Sequence, residues 1–212
     1  MLDEKTTVRI FLNDVGSPPG TFVALHPHYQ DWAPYRIDVS PEKRNDILLF
    51  GAIRPYKRTE EFIELAASDP SHLYALVGAP NTSLYAAHLK RLAAPIGNLR
   101  TELGYLSDEE LAAWIQASEL VVLPYRSFYN SGAALLALSL ARPVLVPQNE
   151  FTRALQNEIG EGWVNITEDF TKSAVDSALA APRPRKPDLS KRSVEAHAKT
   201  NIAAYLAATA GA

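Results

Sequence analysis

The segment Gly51-Ala52-Ile53-Arg54-Pro55-Tyr56-Lys57-Arg58 puts Arg54, Lys57 and Arg58 close together beside a proline. Cations in such a place suit a phosphate, to which Arg donates bidentately and Lys acts as a point charge. The same composition also describes a solvated basic loop, and composition alone does not choose between the two. A second segment, Pro124-Tyr125-Arg126-Ser127-Phe128-Tyr129-Asn130-Ser131-Gly132, runs into the apolar stretch Ala133–Ala141. Asn130 or Ser131 can cap a helix there, and Gly132 lets a ligand approach the backbone. The free amides and macrodipole of a helix start favour an anion. An Asn-Ser-Gly triplet can equally do no more than start a helix. If both loops open on one edge of a sheet, they make a credible diphosphate site. Each charge-assisted hydrogen bond there would contribute about 1.5–3 kcal/mol.

Other chemistries are excluded or unsupported. The chain has no cysteine, which removes disulfides, zinc–thiolate and iron–sulfur sites and Cys nucleophiles. Neither G-x-G-x-x-G nor the P-loop pattern occurs, nor H-E-x-x-H, D-x-D or G-x-S-x-G. His26 and His28 form an H-x-H pair with no carboxylate cluster beside them, so they read as packing and hydrogen-bonding residues. The net charge is -3, so no global basic field draws the chain to nucleic acid.

The elements that must position the two loops are legible from Asp46 onward. Short apolar runs at Ile47–Ile53, Leu73–Val77, Leu120–Leu123 and Val144–Val146 are bounded by Gly, Pro or Asn and predict buried strands. Thr59–Ser68, Ser83–Ala94 and Asp108–Ser118 carry apolar residues at helical spacing, with Asp108 a plausible N-cap for the last. Alternating strands and helices predict an α/β fold, a Rossmann-like parallel sheet with helices on both faces. The chain has 212 residues, 47% of them hydrophobic and 21% charged, ample for one core. Residues 45–181 read as the Rossmann-like domain and 1–44 as a connector. Residues 182–212 read as a Pro-rich linker (PRPRKP, Pro182–Pro187) followed by the terminal helix Leu189–Ala210. No apolar stretch approaches the ~20 residues of a membrane span, and Met1–Arg9 is too charged for a signal peptide.

Four strings stand in order: FGAIRPYKR (Phe50–Arg58), VGAP (Val77–Pro80), LGYLSDEELAAWIQASELVVLPYR (Leu103–Arg126) and NSGAALLALSLARPVLVP (Asn130–Pro147). The series resembles the C-terminal, donor-binding half of GT-B glycosyltransferases, in particular the glycogen-synthase-like group called family 4. HPHYQDW (His26–Trp32) resembles the segment entering that half in a bacterial exopolysaccharide subgroup, which includes mannosyltransferases using GDP-mannose. The resemblance implies transfer of a sugar, mannose in that subgroup, from a nucleotide sugar to a glycan or glycolipid, with no metal and no cofactor.

It also implies residue roles. Lys57 matches the family lysine on the donor diphosphate, and Arg54 substitutes for an arginine whose usual place is held by Ala52. Asn130, Ser131, Gly132 and Ala133 match the helix start that meets the phosphates. Gly51, Gly78, Gly104, Tyr105 and Leu106 match the segments bordering the nucleotide. Many family 4 members carry two glutamates around that helix. Here Phe128 or Tyr129 and Leu136 or Ala137 stand instead, so the resemblance names no catalytic residue and no stereochemical outcome.

A GT-B enzyme also has an N-terminal acceptor half, of the order of 100–200 residues. Met1–Leu25 resembles only the end of one. The resemblance therefore implies a separate acceptor-domain partner, no transfer by this chain alone, and a cytoplasmic place with at most peripheral contact at the inner membrane face. Exposed connector aromatics such as Tyr29, Trp32 and Tyr35 would favour a homo-oligomer. The competing functions are a nucleotide-sugar-binding or regulatory module without turnover, and a flavodoxin-like or response-regulator-like partner domain. The acidic cluster or flavin loop that the latter needs is not evident.

Overall fold

A computed structural model describes residues 8–32 and 45–210. In chain order the elements are β1 (Ile10–Phe11), β2 (Phe22–Val23), β3 (Asn45–Phe50), α1 (Thr59–Ser68), β4 (Tyr74–Gly78), α2 (Ser83–Ala93), β5 (Leu99–Leu103), α3 (Asp108–Gln116), β6 (Ser118–Val122), α4 (Gly132–Ser139), β7 (Val144–Pro147), α5 (Glu150–Ile159), β8 (Val164–Thr167), α6 (Lys172–Ala180) and α7 (Val194–Ala210). Short 3-10 turns lie at Pro55–Lys57 and Ser190–Arg192. The chain divides into two compact units, residues 29–187 and residues 1–28 with 188–212.

The larger unit is built on one six-stranded parallel sheet of order β5-β4-β3-β6-β7-β8. The central strands are apolar beyond their first two residues in β3 and β6 and along all of β4, because both faces are covered. Every residue of β4 is buried, as are Ile47–Phe50 of β3 and Leu120–Val122 of β6. The α1 side chains Phe62, Ile63, Leu65 and Ala66 enter the core that these strands share with Leu89 and Val175. The α4 residues Ala134–Leu138 are all buried, as befits a helix apolar on every side.

The expected parallel α/β sheet is present, and the structure adds to the sequence reading at its margins. β5 (LRTEL) alternates buried and exposed residues, and β8 (VNIT) is buried only at Val164. Such outer strands carry no apolar run, so periodicity does not reveal them. The N-cap of α3 is Ser107 rather than Asp108. Ser107 accepts from the Glu110 amide while the Glu110 carboxylate accepts from the Ser107 amide, a reciprocal capping box.

In the smaller unit β1 and β2 pair in parallel. His28 N–H donates to the Arg192 carbonyl at 2.8 Å, and the Arg192 guanidinium donates to the His26 carbonyl at 3.3 Å. His197 Nδ1 lies 2.9 Å from the Leu25 carbonyl, tying α7 to the residues after β2. Of the connector aromatics, which fall in the larger unit, Tyr35 lies outside the described residues and Trp32 is 56% exposed.

At the amino end of β4, the buried Asp69 carboxylate collects the Ser71 amide and hydroxyl, His72 Nδ1 at 2.6 Å and the Tyr74 hydroxyl at 2.8 Å. Burial alone would raise this carboxyl group, but the hydrogen bonds outweigh it and hold it well below the usual carboxylate range. A carboxylate depressed in the folded state stabilises at neutral pH, and the contribution fades as pH falls through the ordinary carboxylate range. Asp69→Asn should therefore cost about 3 kcal/mol near pH 7, with the gap to wild type narrowing below about pH 4. Urea unfolding at both pH values checks this.

At the opposite ends of the central strands, Gly51 and Gly78 have φ of 100° and 133°. A Cβ on Gly78 would overlap the Gly51 carbonyl. Gly78→Ala should destabilise the protein by about 3 kcal/mol or more, from the clash and the forbidden φ together. A loss below about 1 kcal/mol in urea unfolding would show that the strand ends can separate.

Candidate functional site

The chain runs outward from β3 through β4 to β5, then returns to lay β6 on the other side of β3. The loops after β3 and β6 therefore leave the same sheet edge as neighbours going opposite ways, which is where open α/β sheets bind ligands. Arg126 N–H donates to the Tyr56 carbonyl at 2.9 Å and stitches the two loops together. Asn149 Nδ2 donates to the Phe128 carbonyl at 3.1 Å and pins the second loop to the start of α5.

Between the loops is a pocket of about 230 Å³ lined by Lys57, Asn130, Ser131, Gly132 and Ala133, with Tyr56, Tyr125 and Phe128 among its other walls. The structure thus brings the basic loop and the helix start together. Ser131 is the N-cap of α4, its hydroxyl accepting from the Ala134 amide at 3.2 Å. Gly132 and Ala133 are the first helical residues, and amides there have no acceptor inside the helix. They supply positive potential to the pocket.

Lys57 is only 7% exposed. It ends the 3-10 turn that Pro55 begins, and Arg58, at φ 54°, turns the chain into α1. Its Nζ lies over the Tyr125 ring, 4.8 Å from the centroid, a cation–π contact. It makes no ion pair among the described residues. Burial, with Arg54 adding repulsion, pulls its ammonium down to about 8. A buried cation with no counter-charge is costly, and an entering anion would remove that cost.

The other two cations of the loop are turned to the fold. The Arg54 guanidinium donates to the Ile53 carbonyl at 2.8 Å and the Ala79 carbonyl at 3.2 Å. Arg58 pairs with Glu61. Gly51 lies beside Lys57, since a Cβ there would stand 3.7 Å from Nζ. Gly78 meets the Gly51 backbone, and its carbonyl accepts from the Gly104 amide at 3.0 Å. Tyr105 is 90% exposed. None of Arg54, Gly51, Gly78, Gly104, Tyr105 or Leu106 lines this pocket.

Sequence reasoning assigned no role to Tyr56, Tyr125 or Phe128. Tyr125 stands edge-on to Tyr56 at 6.1 Å and tilted to Phe128 at 6.0 Å. The available signal was three aromatics in two loops already marked as neighbours by their cations and cap.

A larger cavity of about 430 Å³ lies at β8 and α6, lined by Asn165, Thr167 and Pro182 among others. Among the described residues no cation lines it, and the Asn165 amide is spent on the Val144 and Gly162 carbonyls. No group of His, Asp or Glu able to hold a metal occurs among the described residues. No helix among them is long and apolar enough to cross a membrane.

No family model matches the chain. Two curated relatives, each named GDP-mannose:glycolipid 4-beta-D-mannosyltransferase, come from Xanthomonas campestris pv. campestris, one of them from strain ATCC 33913. Each is 38% identical over 192 residues, covering 87% of this chain and 55% of the relative. The chain spans about half the length of the curated relatives it matches. Among solved structures, a glycosyltransferase involved in avilamycin A biosynthesis is similar with a TM-score of 0.61 and 16% identity, over 94% of this chain and 72% of that one. Sucrose-phosphate synthase from Thermosynechococcus elongatus gives a TM-score of 0.58 and 16% identity, over 91% and 53%. The fold is that of one half of a GT-B glycosyltransferase, as the motif series implies.

Lys57→Met removes the cost of burying the ammonium, so this variant should be at least as stable as wild type at pH 7. A lysine depressed in the folded state destabilises below its folded value, and that penalty disappears as pH rises from about 8 toward 10.5. The stability advantage of Lys57→Met should therefore shrink above pH 8. Its affinity for inorganic pyrophosphate should fall at least about tenfold. Urea unfolding across pH and calorimetry check the two halves.

Proposed function

We propose that this chain is the donor-binding half of a glycosyltransferase, holding the diphosphate of a nucleotide sugar between Lys57 and the amino end of α4. The observation that carries the reading is the buried Lys57 ammonium, without an ion pair among the described residues, in one pocket with the capped start of that helix. The 38% identity to relatives named as GDP-mannose mannosyltransferases acting on a glycolipid supports mannose as the sugar and a glycolipid as the acceptor. Departure of the nucleoside diphosphate builds negative charge on the leaving oxygen. Fixed donors aimed at that oxygen stabilise it without reorganising at the moment of reaction. Lys57 and the α4 amides supply that role, so the reading calls for no metal ion.

The acceptor is bound by a second domain, which completes the cleft. A lipid-linked acceptor would bring the assembly to the inner membrane face as a peripheral protein. One observation favours a second reading, a donor-binding module without turnover. Among the described residues, those lining the pocket include no carboxylate, so these walls offer no conventional general base for an acceptor hydroxyl.

Calorimetry with GDP, UDP and ADP tests the binding. GDP should bind in the micromolar to millimolar range and weaken with added salt. No heat with any of the three at millimolar concentration would overturn the reading. Sugar transfer from GDP-mannose after adding a separately produced acceptor half distinguishes an enzyme half from a silent module, and this chain alone should transfer none.

A further inference from the structure

The pocket holds a polar group that the fold itself leaves unused. Tyr125 is 5% exposed, and its hydroxyl is shut from water with no hydrogen-bond partner among the described residues. Other buried side-chain atoms in that condition include Asn45 Nδ2, Thr59 Oγ1, Arg142 Nε and Trp163 Nε1. Tyr125 alone of these residues lines the pocket. A phenylalanine would fill the same volume without a desolvated hydroxyl, which ordinarily destabilises a fold by leaving its hydrogen bond unmade.

The surroundings hold the ring in one place. Lys57 Nζ sits over its face, Tyr56 meets it edge-on, and Phe128 packs at 6.0 Å. The flanking backbone is anchored as well, by the Leu123 amide on the Leu145 carbonyl and the Arg126 amide on the Tyr56 carbonyl, both at 2.9 Å. The ring is therefore held in place, and the residue lines the same pocket as two sources of positive potential. A neutral O–H in that company finds its best partner in an anionic oxygen.

We propose that the Tyr125 hydroxyl donates a hydrogen bond to the anionic oxygen that this pocket takes, a ligand contact additional to Lys57 and the α4 amides. The proposal rests on reading the pocket as a diphosphate site. Burial also pushes the phenol above its ordinary value, so it keeps the proton it must donate. The ring has a second part: its face supports the ammonium, so one side chain orders two of the three contacts.

Tyr125→Phe separates these parts, since it keeps the ring under Lys57 and removes only the hydroxyl. Calorimetry with GDP and with inorganic pyrophosphate reads the contact. Thermal melting without ligand reads the cost to the fold. The variant should bind both probes about tenfold more weakly, and its melting temperature without ligand should be equal to wild type or a few degrees higher. Undiminished affinity beside clear binding by wild type would overturn the assignment and leave the diphosphate reading intact. Absence of binding by wild type to either probe would overturn both. A lowered melting temperature would show that the hydroxyl serves the fold, and would overturn the assignment too.

Discussion

Everything at the candidate site depends on the pairing of β3 with β4 on one side and β6 on the other. A parallel sheet needs a crossover between consecutive strands, and reversing the direction of those crossovers at β3 opens a crevice where no helix passes. The loops after β3 and β6 face each other across it, although their key residues lie far apart in sequence. The close approach of Gly78 to the Gly51 carbonyl extends the same constraint beyond the strand ends. Side chains at this edge need not spread apart, because the backbones beneath them are held together.

The pocket gathers groups that do little for the fold that carries them. Among the described residues, the buried ammonium has no ion pair and the buried phenol no hydrogen-bond partner, and each condition is costly to the fold. The large apolar core beneath, from Ile47 and Leu49 through Phe62 and Leu76 to Leu120 and Val122, absorbs that cost. Such groups persist where an incoming ligand relieves them, and an anionic oxygen would relieve both here. The α4 helix adds its potential while being buried at all of Ala134–Leu138, so its first turn is held rigidly.

The cations after β3 show how much an assignment by residue type leaves open. Arg54, Lys57 and Arg58 are equivalent in composition, yet they go three ways. Arg54 reaches back to two carbonyls at the strand ends, Arg58 pairs along its own helix with Glu61, and Lys57 alone lines the pocket. The 3-10 turn beginning at Pro55 and the left-handed Arg58 produce this separation, since together they set where each side chain leaves the backbone. The glycines divide similarly. Gly78 is required by the chain's own close approach, whereas among the described residues nothing stands within van der Waals reach of a Cβ at Gly104.

By itself the sequence determined the buried central strands, the helices between them and hence the class of sheet, because apolar runs and helical spacing are local signals. It also determined that a basic loop and a capped helix start exist, since Pro55, Ser131 and Gly132 act within a few residues of themselves. Order and spacing of the strings from Phe50 to Pro147 carried the likeness to GT-B glycosyltransferases. The tertiary structure decided the rest. Edge strands β5 and β8 arise from pairing with a neighbour, which their polar sequences do not announce. The placing of Tyr125 under Lys57, and the choice of Lys57 over Arg54, depend on two loops meeting. Burial, which leaves an ordinary lysine and an ordinary tyrosine with the unmet demand that the proposed ligand would relieve, is a property of surroundings that only the folded chain assembles.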